Sequence, residues 1–534
     1  MKFTQSIAGQ SILFECERFT KNKLGLFLQG NKVSIHTPFP IKEFYQHGWQ
    51  SWSLSAWIEP GNYPGVSYPQ PLNVLQIDQP YSKLDHPNGS WLGAVSDLGG
   101  KILFLGALNL DSHVELNGDT LIGKYENGTG AWFVTYGEEK KVFESYVSLI
   151  KKEFGSTKTK ESPTVWCSWY SLYEEISEDY LHKICNDLGD YPFDVIQIDD
   201  GWQEKVGDWK PNAKFPSGMK SLAKHINNSG KKAGLWLAPL LVVPSSKIFN
   251  EHPDWLLRSE DGDPVCAGFN WNEKLYALDT THPRVQKWLS ELMKDVRNWG
   301  FEYIKLDFLY AGALKGIRWN PMPRESAFRL GLQIMRESLQ DAFLLICGTP
   351  ILPSIGLCDA IRVGPDVSGS WRPYIENLLL NNYSVPSVQN AIRTSINRLW
   401  LKPIVQTDPD VVYFQSQNNT LTNSQKDLLR TLSIIANFKA TSDLSHLNSP
   451  DEKKALFDFL LKDIEIDQID RYVFTINGKP YDFSDSVKLL PALNPAESIL
   501  RVVVQYISKF IIVLRIFGKI SSHLRKRSIR RIFK

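Results

Sequence analysis

The stretch YIKLDFLY, residues 303–310, places two charged side chains within an otherwise apolar strand pattern. Side chains alternate across a strand, so Lys305 and Asp307 point to one face and their apolar neighbours to the other. An unpaired buried charge is costly and usually changes its protonation state instead. The stretch therefore predicts a buried strand with one polar face that is reserved for chemistry or binding.

Similar polar and aromatic residues stand at the ends of several other apolar runs. In chain order, the segments WCSWY, FDVIQIDDGW, GLWLAP, YIKLDF, FLLICG, IRVGPD and IVQTDPD supply Trp169, Tyr170, Asp199, Asp200, Trp236, Lys305, Asp307, Cys347, Arg362, Asp366, Asp408 and Asp410. Any one strand-end aspartate most often caps the following helix. Their occurrence at successive strand ends indicates one shared site.

The composition of this set favours glycoside hydrolysis over other chemistries. No histidine or cysteine cluster has metal-ligand spacing and no phosphate-binding signature accompanies the aspartates, so neither zinc nor magnesium is expected. Lys305 could form a Schiff base, but Asp307 on the same face would raise its pKa and oppose that role. Glycoside hydrolysis needs one ionised and one protonated carboxyl group. Lys305 would keep Asp307 ionised, whereas the sequence does not define the surroundings of Asp366.

The pattern of predicted secondary structure changes near residue 160, and the residues listed above, from Trp169 onwards, lie in the second part. Residues 1 to about 155 show short alternating runs separated by turn signals such as Asn-Gly and Gly-Gly, which predicts an all-β, sandwich-like region. From Thr164 onwards, strand-like runs alternate with helical ones, and YALD, residues 276–279, is read as one of these strands. Seven or eight such units predict a (β/α)8 TIM-type barrel, with the active site at the C-terminal ends of its strands. A doubly wound open sheet is the alternative, but no Gly-rich phosphate loop follows the early strands.

We predict four regions. They are an N-terminal β-sandwich domain over 1–160, a catalytic barrel over 161–440, a small C-terminal β domain over 441–487 and a basic, apolar tail over 488–534. Basic and apolar residues are mixed in the tail, as in segments that lie on a membrane surface. A helix packed on the protein, followed by a solvated basic end, explains the tail equally well.

Charge and cysteine content limit the functional classes. The 534 residues include 60 basic and 58 acidic ones, so the composition gives no sign of nucleic-acid binding. The six cysteines are scattered without paired or metal-type spacing, which is typical of an intracellular protein. The first residues lack the pattern of a signal peptide. We therefore expect a cytoplasmic protein, with the tail as the one candidate for peripheral membrane contact.

Taken in order, the motifs resemble glycoside hydrolase family 36, in its microbial α-galactosidase (melibiase) branch. The resemblance rests on GWQSWS (48–53), WCSWY (166–170), FDVIQIDDGWQ (193–203), GLWLAP (234–239), NEHPDW (250–255), YALD (276–279), YIKLDFLYAGAL (303–314), CGTPILPSIGLCDAIRVGPD (347–366) and DPD (408–410). The segment WRPYIENLLLNNYSVPSVQN after Asp366 is not a close match, and the tail has no counterpart in the family. The natural substrate therefore stays open.

The resemblance implies roles for individual residues. Asp307 would be the nucleophile and Asp366 the general acid/base of a retaining double displacement, with their carboxyl groups roughly 5 Å apart. The positions that match the galactose site are Asp199, Asp200, Lys305, Arg362, Trp236 and Tyr170, with Cys347 in the pocket and Trp52 reaching in from the N-terminal domain. No metal or organic cofactor is implied, and family members often self-associate.

The resemblance leaves other activities open. A transglycosylase of the raffinose-family type would transfer the galactosyl group to a sugar hydroxyl instead of water. A related α-glycoside, such as an α-N-acetylgalactosaminide, could be the substrate. A catalytically inactive carbohydrate-binding protein is disfavoured because both expected catalytic aspartates are present.

Overall fold

The computed structural model describes residues 1–64, 78–157, 160–373, 382–461 and 464–490, together with Ile499, Leu500, Val502 and Val503. Within the first two ranges, strands form two antiparallel sheets. These strands are β1 (Lys2–Ile7), β2 (Gln10–Glu15), β3 (Arg18–Lys21), β4 (Leu26–Gly30), β5 (Lys32–His36), β6 (Glu43–Gln46), β7 (Ala56–Ile58), β8 (Asn88–Ser90), β9 (Leu92–Ser96), β10 (Lys101–Ala107), β11 (Ser112–Asn117), β12 (Thr120–Tyr125) and β13 (Gly130–Glu138).

The two sheets pack face to face. One has the order β1-β2-β5-β12-β11-β8 and the other β3-β4-β13-β10-β9-β6-β7. Gly123 of the first sheet lies against the ring of Trp132 in the second, so closely that a Cβ atom at residue 123 would be 2.8 Å from the ring. Alternating strand residues such as Leu121, Gly123 and Tyr125 are buried in this interface, which is the pattern of a β-sandwich.

The expectation that this region is entirely β is wrong at its end. A helix, Glu139–Phe154, follows β13 directly. Its buried residues, Val142, Phe143, Tyr146, Val147 and Ile150, recur at the three- and four-residue spacing of one helix face. Charged residues stand between these apolar positions, so the helical periodicity was not recognised in the sequence.

The remaining strands begin at Val165. They are β14 (Val165–Cys167), β15 (Val195–Ile198), β16 (Lys232–Leu237), β17 (Leu241–Val242), β18 (Cys266–Asn270), β19 (Glu273–Ala277), β20 (Tyr303–Leu306), β21 (Phe343–Ile346), β22 (Ala360–Arg362), β23 (Gln406–Asp408), β24 (Ala440–Thr441), β25 (Ile466–Asp470), β26 (Val473–Ile476) and β27 (Lys479–Asp482).

Eight of these strands form a parallel barrel, as predicted. Their order is β23-β22-β21-β20-β16-β15-β14-β24. From β14 to β23, each strand pairs with the barrel strand that precedes it in the chain, and β24, the last in the chain, pairs with β14, the first. The ring closes where Val412, just beyond β23, forms a parallel bridge with Thr441 of β24. The amide of Val412 donates to the Ala440 carbonyl at 2.8 Å. The chain therefore forms a (β/α)8 barrel with antiparallel sheets attached.

One predicted barrel strand is misplaced. Tyr276 and Ala277 of YALD belong to β19, which pairs antiparallel with β17 and β18 in a three-stranded sheet inserted between β16 and β20. The eighth barrel strand is β24 instead. It has only two residues, and so short a strand leaves no apolar run to be detected in the sequence.

Helices surround the barrel and fill its connections. The α-helices after the sandwich are Trp169–Leu172, Glu178–Asp187, Gly218–Asn228, Lys247–Glu251, Pro283–Asn298, Arg324–Leu339, Ile351–Ser354, Val388–Ile396, Asn423–Ala436, Pro450–Leu461 and Ser484–Val487. Short 3-10 helices are Pro60–Asn62, Gln79–Tyr81, Pro253–Trp255, Leu309–Ala313, Leu399–Leu401 and Ser445–Leu447.

A buried polar cluster joins the sandwich to the barrel helix Arg324–Leu339. The Glu325 carboxylate accepts hydrogen bonds from the indole N–H groups of Trp49, at 3.1 Å, and Trp91, at 2.9 Å. Arg324 pairs with Asp78 at 2.6 Å. Burial raises the pKa of Glu325 to about 8, and the negative charge of Asp111 adds to that effect.

The strands β25, β26 and β27 form a small antiparallel sheet after the barrel. The region boundaries at residues 160, 440 and 487 stay predictions. Most of the predicted tail, 488–534, lies outside the described residues. Within the described ranges, no helix is both long enough and apolar enough to cross a membrane.

Candidate active site

A cavity of about 270 Å³ lies where the barrel strands end. Asp199 follows β15, Asp307 follows β20 and Asp366 follows β22. The cavity is lined by Trp52, Trp169, Asp199, Asp200, Trp236, Phe269, Asn270, Trp271, Lys305, Asp307, Phe308, Asp366, Ser384 and Pro386. The lining combines carboxyl groups with aromatic rings, and this combination is suited to a sugar, which offers hydroxyl groups and apolar C–H faces.

Lys305 lies between two carboxylates on the polar face of β20 and its exit. Its Nζ is 2.9 Å from Asp199 Oδ2 and 4.0 Å from Asp307 Oδ2. Burial lowers the pKa of Lys305, but the charges of Asp199 and Asp307 outweigh this effect and hold it well above its usual value. The lysine is therefore a fixed positive charge, and a Schiff-base role does not fit these surroundings.

The Asp307 carboxylate is held by N–H donors. The indole Nε1 of Trp236 donates to Oδ2 at 3.1 Å, and the backbone N–H of Phe308 donates to Oδ1 at 2.7 Å. Phe308 has a positive φ of 54°, which is rare for a bulky residue. The two donors fix the orientation of the Asp307 carboxylate in the cavity.

Asp199 and Asp200 are both buried, and each has its own set of partners. Asp199 Oδ2 accepts from Gln197 Nε2 at 2.5 Å as well as from Lys305. Asp200 accepts from Gln203 Nε2 at 2.6 Å and from the indole Nε1 of Trp271 at 2.7 Å. Burial raises the pKa of Asp200 to about 6, against the opposing effect of these two hydrogen bonds.

Asp366 lies in a different electrostatic environment. Its carboxyl group is 32% exposed and pairs with Arg362 Nη1 at 2.9 Å. The same guanidinium binds Asp408 at 2.8 Å and Asp410 at 2.9 Å, so three carboxyl groups share one positive charge. Desolvation in the cavity raises the pKa of Asp366 to about 7, and the nearby charge of Asp410 contributes to the rise.

Asp410 is the buried centre of this network. Its Oδ2 accepts from the hydroxyl of Tyr170 and, at 2.9 Å, from the backbone N–H of Val367, the residue next to Asp366. Asp410 itself has a φ of 82°, an unfavourable conformation for a non-glycine residue. The strained turn therefore places a carboxylate directly behind Asp366.

Most of the residues selected from the sequence come together in this cavity. The predicted residues that line it are Trp52, Trp169, Asp199, Asp200, Trp236, Lys305, Asp307 and Asp366. Arg362 and Tyr170 are not among the lining residues, but Arg362 donates to Asp366 at 2.9 Å and the Tyr170 hydroxyl donates to Asp410. Cys347 is fully buried and does not belong to the lining. Its backbone N–H donates to the Leu306 carbonyl at 2.8 Å.

Sequence reasoning missed the hairpin formed by β18 and β19. Its tip, Trp271 and Asn272, has φ values of 49° and 61°. A two-residue turn with both φ values positive is of the type that favours asparagine and glycine. The repeated asparagines in FNWNE were therefore the available signal. The hairpin adds Phe269, Asn270 and Trp271 to the cavity wall.

Comparisons with known proteins agree with this geometry. The sequence model of the Melibiase family matches residues 129–343. The solved structure of TtGalA, an α-galactosidase from Thermus thermophilus in complex with p-nitrophenyl α-D-galactopyranoside, is 39% identical in sequence, with a TM-score of 0.87. That match covers 91% of this chain and 100% of the Thermus chain. A GH36 α-galactosidase from Geobacillus stearothermophilus, AgaA, is 14% identical with a TM-score of 0.53 over 85% of this chain and 65% of its own, which shows a shared fold.

Among curated sequences, α-galactosidase AgaA of Geobacillus stearothermophilus is 32% identical over 111 residues, 19% of this chain. α-Galactosidase 1 of Pediococcus pentosaceus is 26% identical over 213 residues, 36% of this chain. These alignments span only 15% and 27% of the two relatives' lengths. The match to the Thermus protein, in contrast, extends over that whole chain. This chain belongs to glycoside hydrolase family 36, the melibiase family of α-galactosidases.

Proposed function

We propose that the protein hydrolyses terminal α-galactosides by a retaining double displacement. The observation that carries this proposal is the contrast between two carboxyl groups that line one cavity. Asp307 is surrounded by Lys305 and two N–H donors. The pKa of Asp366 is raised to about 7 by desolvation in the cavity, with a contribution from the negative charge of Asp410. Such a pair provides a nucleophile and a proton donor near neutral pH.

In the first step, an Asp307 oxygen attacks the anomeric carbon. The bond between that carbon and the leaving oxygen breaks, and Asp366 gives its proton to the leaving oxygen. In the second step, Asp366 accepts a proton from water while the water oxygen attacks the same carbon. The ester bond to Asp307 then breaks, and both carboxyl groups return to their starting states.

The galactosyl group would be held by the base of the cavity. Asp199 and Asp200 offer carboxylate oxygens for hydroxyl groups, and Lys305 offers a donor between Asp199 and Asp307. Trp236 and Trp271 present ring surfaces near these groups. The Thermus structures in complex with p-nitrophenyl α-D-galactopyranoside and with stachyose support a galactoside as the ligand of this cavity.

The stereochemistry of the first product tests the mechanism. We would follow hydrolysis of p-nitrophenyl α-D-galactopyranoside by proton NMR and record the anomeric proton before mutarotation. A retaining enzyme releases α-galactose first, because two inversions restore the configuration. Initial release of β-galactose would contradict the roles of both aspartates.

Substrate identity needs a separate assay. We would compare aryl α-glycosides of galactose, N-acetylgalactosamine, glucose and xylose, and we expect the galactoside to be cleaved fastest. A faster reaction with the N-acetylgalactosaminide would overturn the proposed substrate. Product analysis with and without added sucrose would show whether a sugar hydroxyl replaces water in the second step.

A further inference from the structure

Arg398 is a fully buried arginine that binds backbone carbonyl groups of two separate chain segments. Its Nη2 donates to the carbonyls of Gly48 at 2.8 Å, Gln50 at 2.9 Å and Ser53 at 3.0 Å. Its Nη1 donates to the carbonyls of Ser51 at 2.6 Å and Val363 at 3.0 Å. No carboxylate forms an ion pair with Arg398 in the described part of the chain. The positive charge of Arg398 is therefore stabilised by the dipoles of five backbone carbonyl groups.

Four of these carbonyls belong to residues 48–53, which we name the Trp52 loop. The loop connects two strands of the sandwich, β6 and β7, yet it lies on the barrel. Ser51 N–H donates to the Thr349 carbonyl at 3.1 Å, and Ile351 N–H donates to the Trp49 carbonyl at 3.0 Å. These contacts join the Trp52 loop to the segment that follows β21.

The Trp52 loop carries an aromatic wall of the cavity. Trp52 lines the cavity and meets Phe308 edge-on, with ring centroids 5.2 Å apart. Phe308 is the residue whose N–H holds the Asp307 carboxylate at 2.7 Å. A Cβ atom at residue 348 would lie only 2.8 Å from the Trp52 ring. Glycine at this position therefore avoids a steric clash with the indole. The position of Trp52 is thus coupled to the surroundings of Asp307.

The fifth carbonyl connects Arg398 to the other catalytic segment. Val363 directly follows β22 and stands three residues before Asp366. The guanidinium therefore binds the Trp52 loop and the segment leading to Asp366 at the same time. Because both partners are main-chain groups, the contact fixes the positions of whole segments instead of single side chains.

We propose that Arg398 is a positioning residue, which holds the Trp52 loop against the exit of β22 so that Trp52 forms the cavity wall beside Asp307. This inference rests on the proposed function for its kinetic consequence. Arg398 does not touch the substrate. The exit of β22 is the anchor to which Arg398 ties the Trp52 loop, and the effect on the cavity is transmitted through Trp52.

Arginine is suited to this role because its planar guanidinium spreads five donors over a fork. A lysine has three donors on a single nitrogen and cannot reach carbonyls on both sides of that fork. We therefore test Arg398→Lys, which keeps a long basic side chain but has a single donor nitrogen, and Arg398→Gln, which is neutral. The matched control is Arg393→Lys. Arg393 is also buried and binds the carbonyls of Val487 and Lys488, whereas its guanidinium donates to none of the described carbonyls of the Trp52 loop.

The kinetic experiment is a double-mutant cycle between Arg398→Lys and Trp52→Ala, with kcat and KM measured on p-nitrophenyl α-D-galactopyranoside. We expect Arg398→Lys to reduce kcat/KM by about tenfold, equivalent to about 1.4 kcal/mol. The same substitution should cost less than about twofold when it is combined with Trp52→Ala, since no wall remains to be positioned. Arg393→Lys should leave kcat/KM within about twofold of the parent value while lowering Tm.

A second measurement does not depend on activity. Hydrogen exchange of the Ser51 and Ser53 amides reports the position of the Trp52 loop, and it should become at least about tenfold faster in Arg398→Lys but not in Arg393→Lys. Unchanged exchange would refute the inference about Arg398 even if the enzyme is active. An inactive parent enzyme with this exchange pattern would refute the proposed function alone.

Two further results would overturn the inference. One is a loss of kcat/KM from Arg398→Lys that is equally large in the parent protein and in the Trp52→Ala variant, which would show that Arg398 does not act through the indole. The other is failure of both Arg398 variants to fold where Arg393→Lys folds. Arg398 would then be a requirement of the fold and not a positioning residue.

Discussion

The charge of Asp410 should control the alkaline limit of activity. Asp410 and Asp366 bind separate arms of the Arg362 guanidinium, each at 2.9 Å. In Asp410→Asn the negative charge behind Asp366 disappears and Arg362 is shared by fewer carboxylates. Both changes stabilise the ionised form of Asp366, so its pKa should fall from about 7.

The size of the shift follows from Coulomb's law. Two unit charges about 6 Å apart, at an effective dielectric constant of about 20, repel by roughly 3 kcal/mol. That energy corresponds to about two pKa units. Because Arg362 already balances part of the charge on Asp410, we expect the pKa of Asp366 to fall by about one to two units.

The assay is the pH profile of kcat/KM on an aryl α-galactoside. The alkaline limb reports the group that must be protonated in the free enzyme, and the acid limb reports the group that must be ionised. In Asp410→Asn the alkaline limb should move to lower pH and the acid limb should stay in place. Tyr170→Phe is the control, because it removes a hydrogen bond from the same carboxylate and leaves its charge.

An alkaline limb that does not move in a folded Asp410→Asn protein would refute this reasoning. So would a shift to higher pH, since no loss of a negative charge near Asp366 can raise its pKa. A shift of equal size in Tyr170→Phe would assign the effect to hydrogen bonding or packing and not to charge.

Three other perturbations have defined outcomes. Asp307→Ala should lower kcat by about 10⁴-fold with Tm almost unchanged, and a variant that keeps normal turnover would remove Asp307 from the mechanism. Trp271→Phe keeps a ring but loses the hydrogen bond to Asp200, so KM should rise about five- to tenfold; a change in kcat alone would be inconsistent with this. Glu325 has a folded-state pKa of about 8, above its unfolded value, so it binds its proton more tightly in the folded protein. The free energy of unfolding should therefore fall as pH rises from about 4.5 to 8, and urea titrations of Glu325→Gln should lack this component.

The sequence was sufficient for the parts of the molecule in which a local pattern has one structural meaning. The runs before Asp199, Asp307 and Asp366 are mainly apolar, as buried parallel strands require, and each has one inserted polar residue, Gln197, Lys305 or Arg362. The barrel and its polar edge were therefore predictable. Parallel strands present their C-terminal ends on one side, and this rule brought the three aspartates together. The pairing of Lys305 with Asp307 followed from the two-residue period of a strand.

What could not be predicted depends on long-range pairing. Tyr276 belongs to an antiparallel sheet because β17 and β18 are beside it, and nothing within YALD distinguishes that sheet from a barrel strand. The shared use of Arg362 by Asp366, Asp408 and Asp410 requires the relative positions of two strand ends. The contact of Arg398 with the Trp52 loop joins residues that are far apart in the sequence. No local sequence pattern predicts a contact of this kind.

The closure of the barrel by β24 has a consequence for the order in which the protein becomes active during its synthesis. Trp52 and the sandwich leave the ribosome first, and Asp199, Asp307 and Asp366 follow in turn. The ring is complete only when Ala440 and Thr441 pair with β14 and Thr441 meets Val412. Pairing between such distant segments is slow compared with local folding. A nascent chain that stops before residue 440 would therefore contain every candidate catalytic residue and still lack the closed barrel that holds them together.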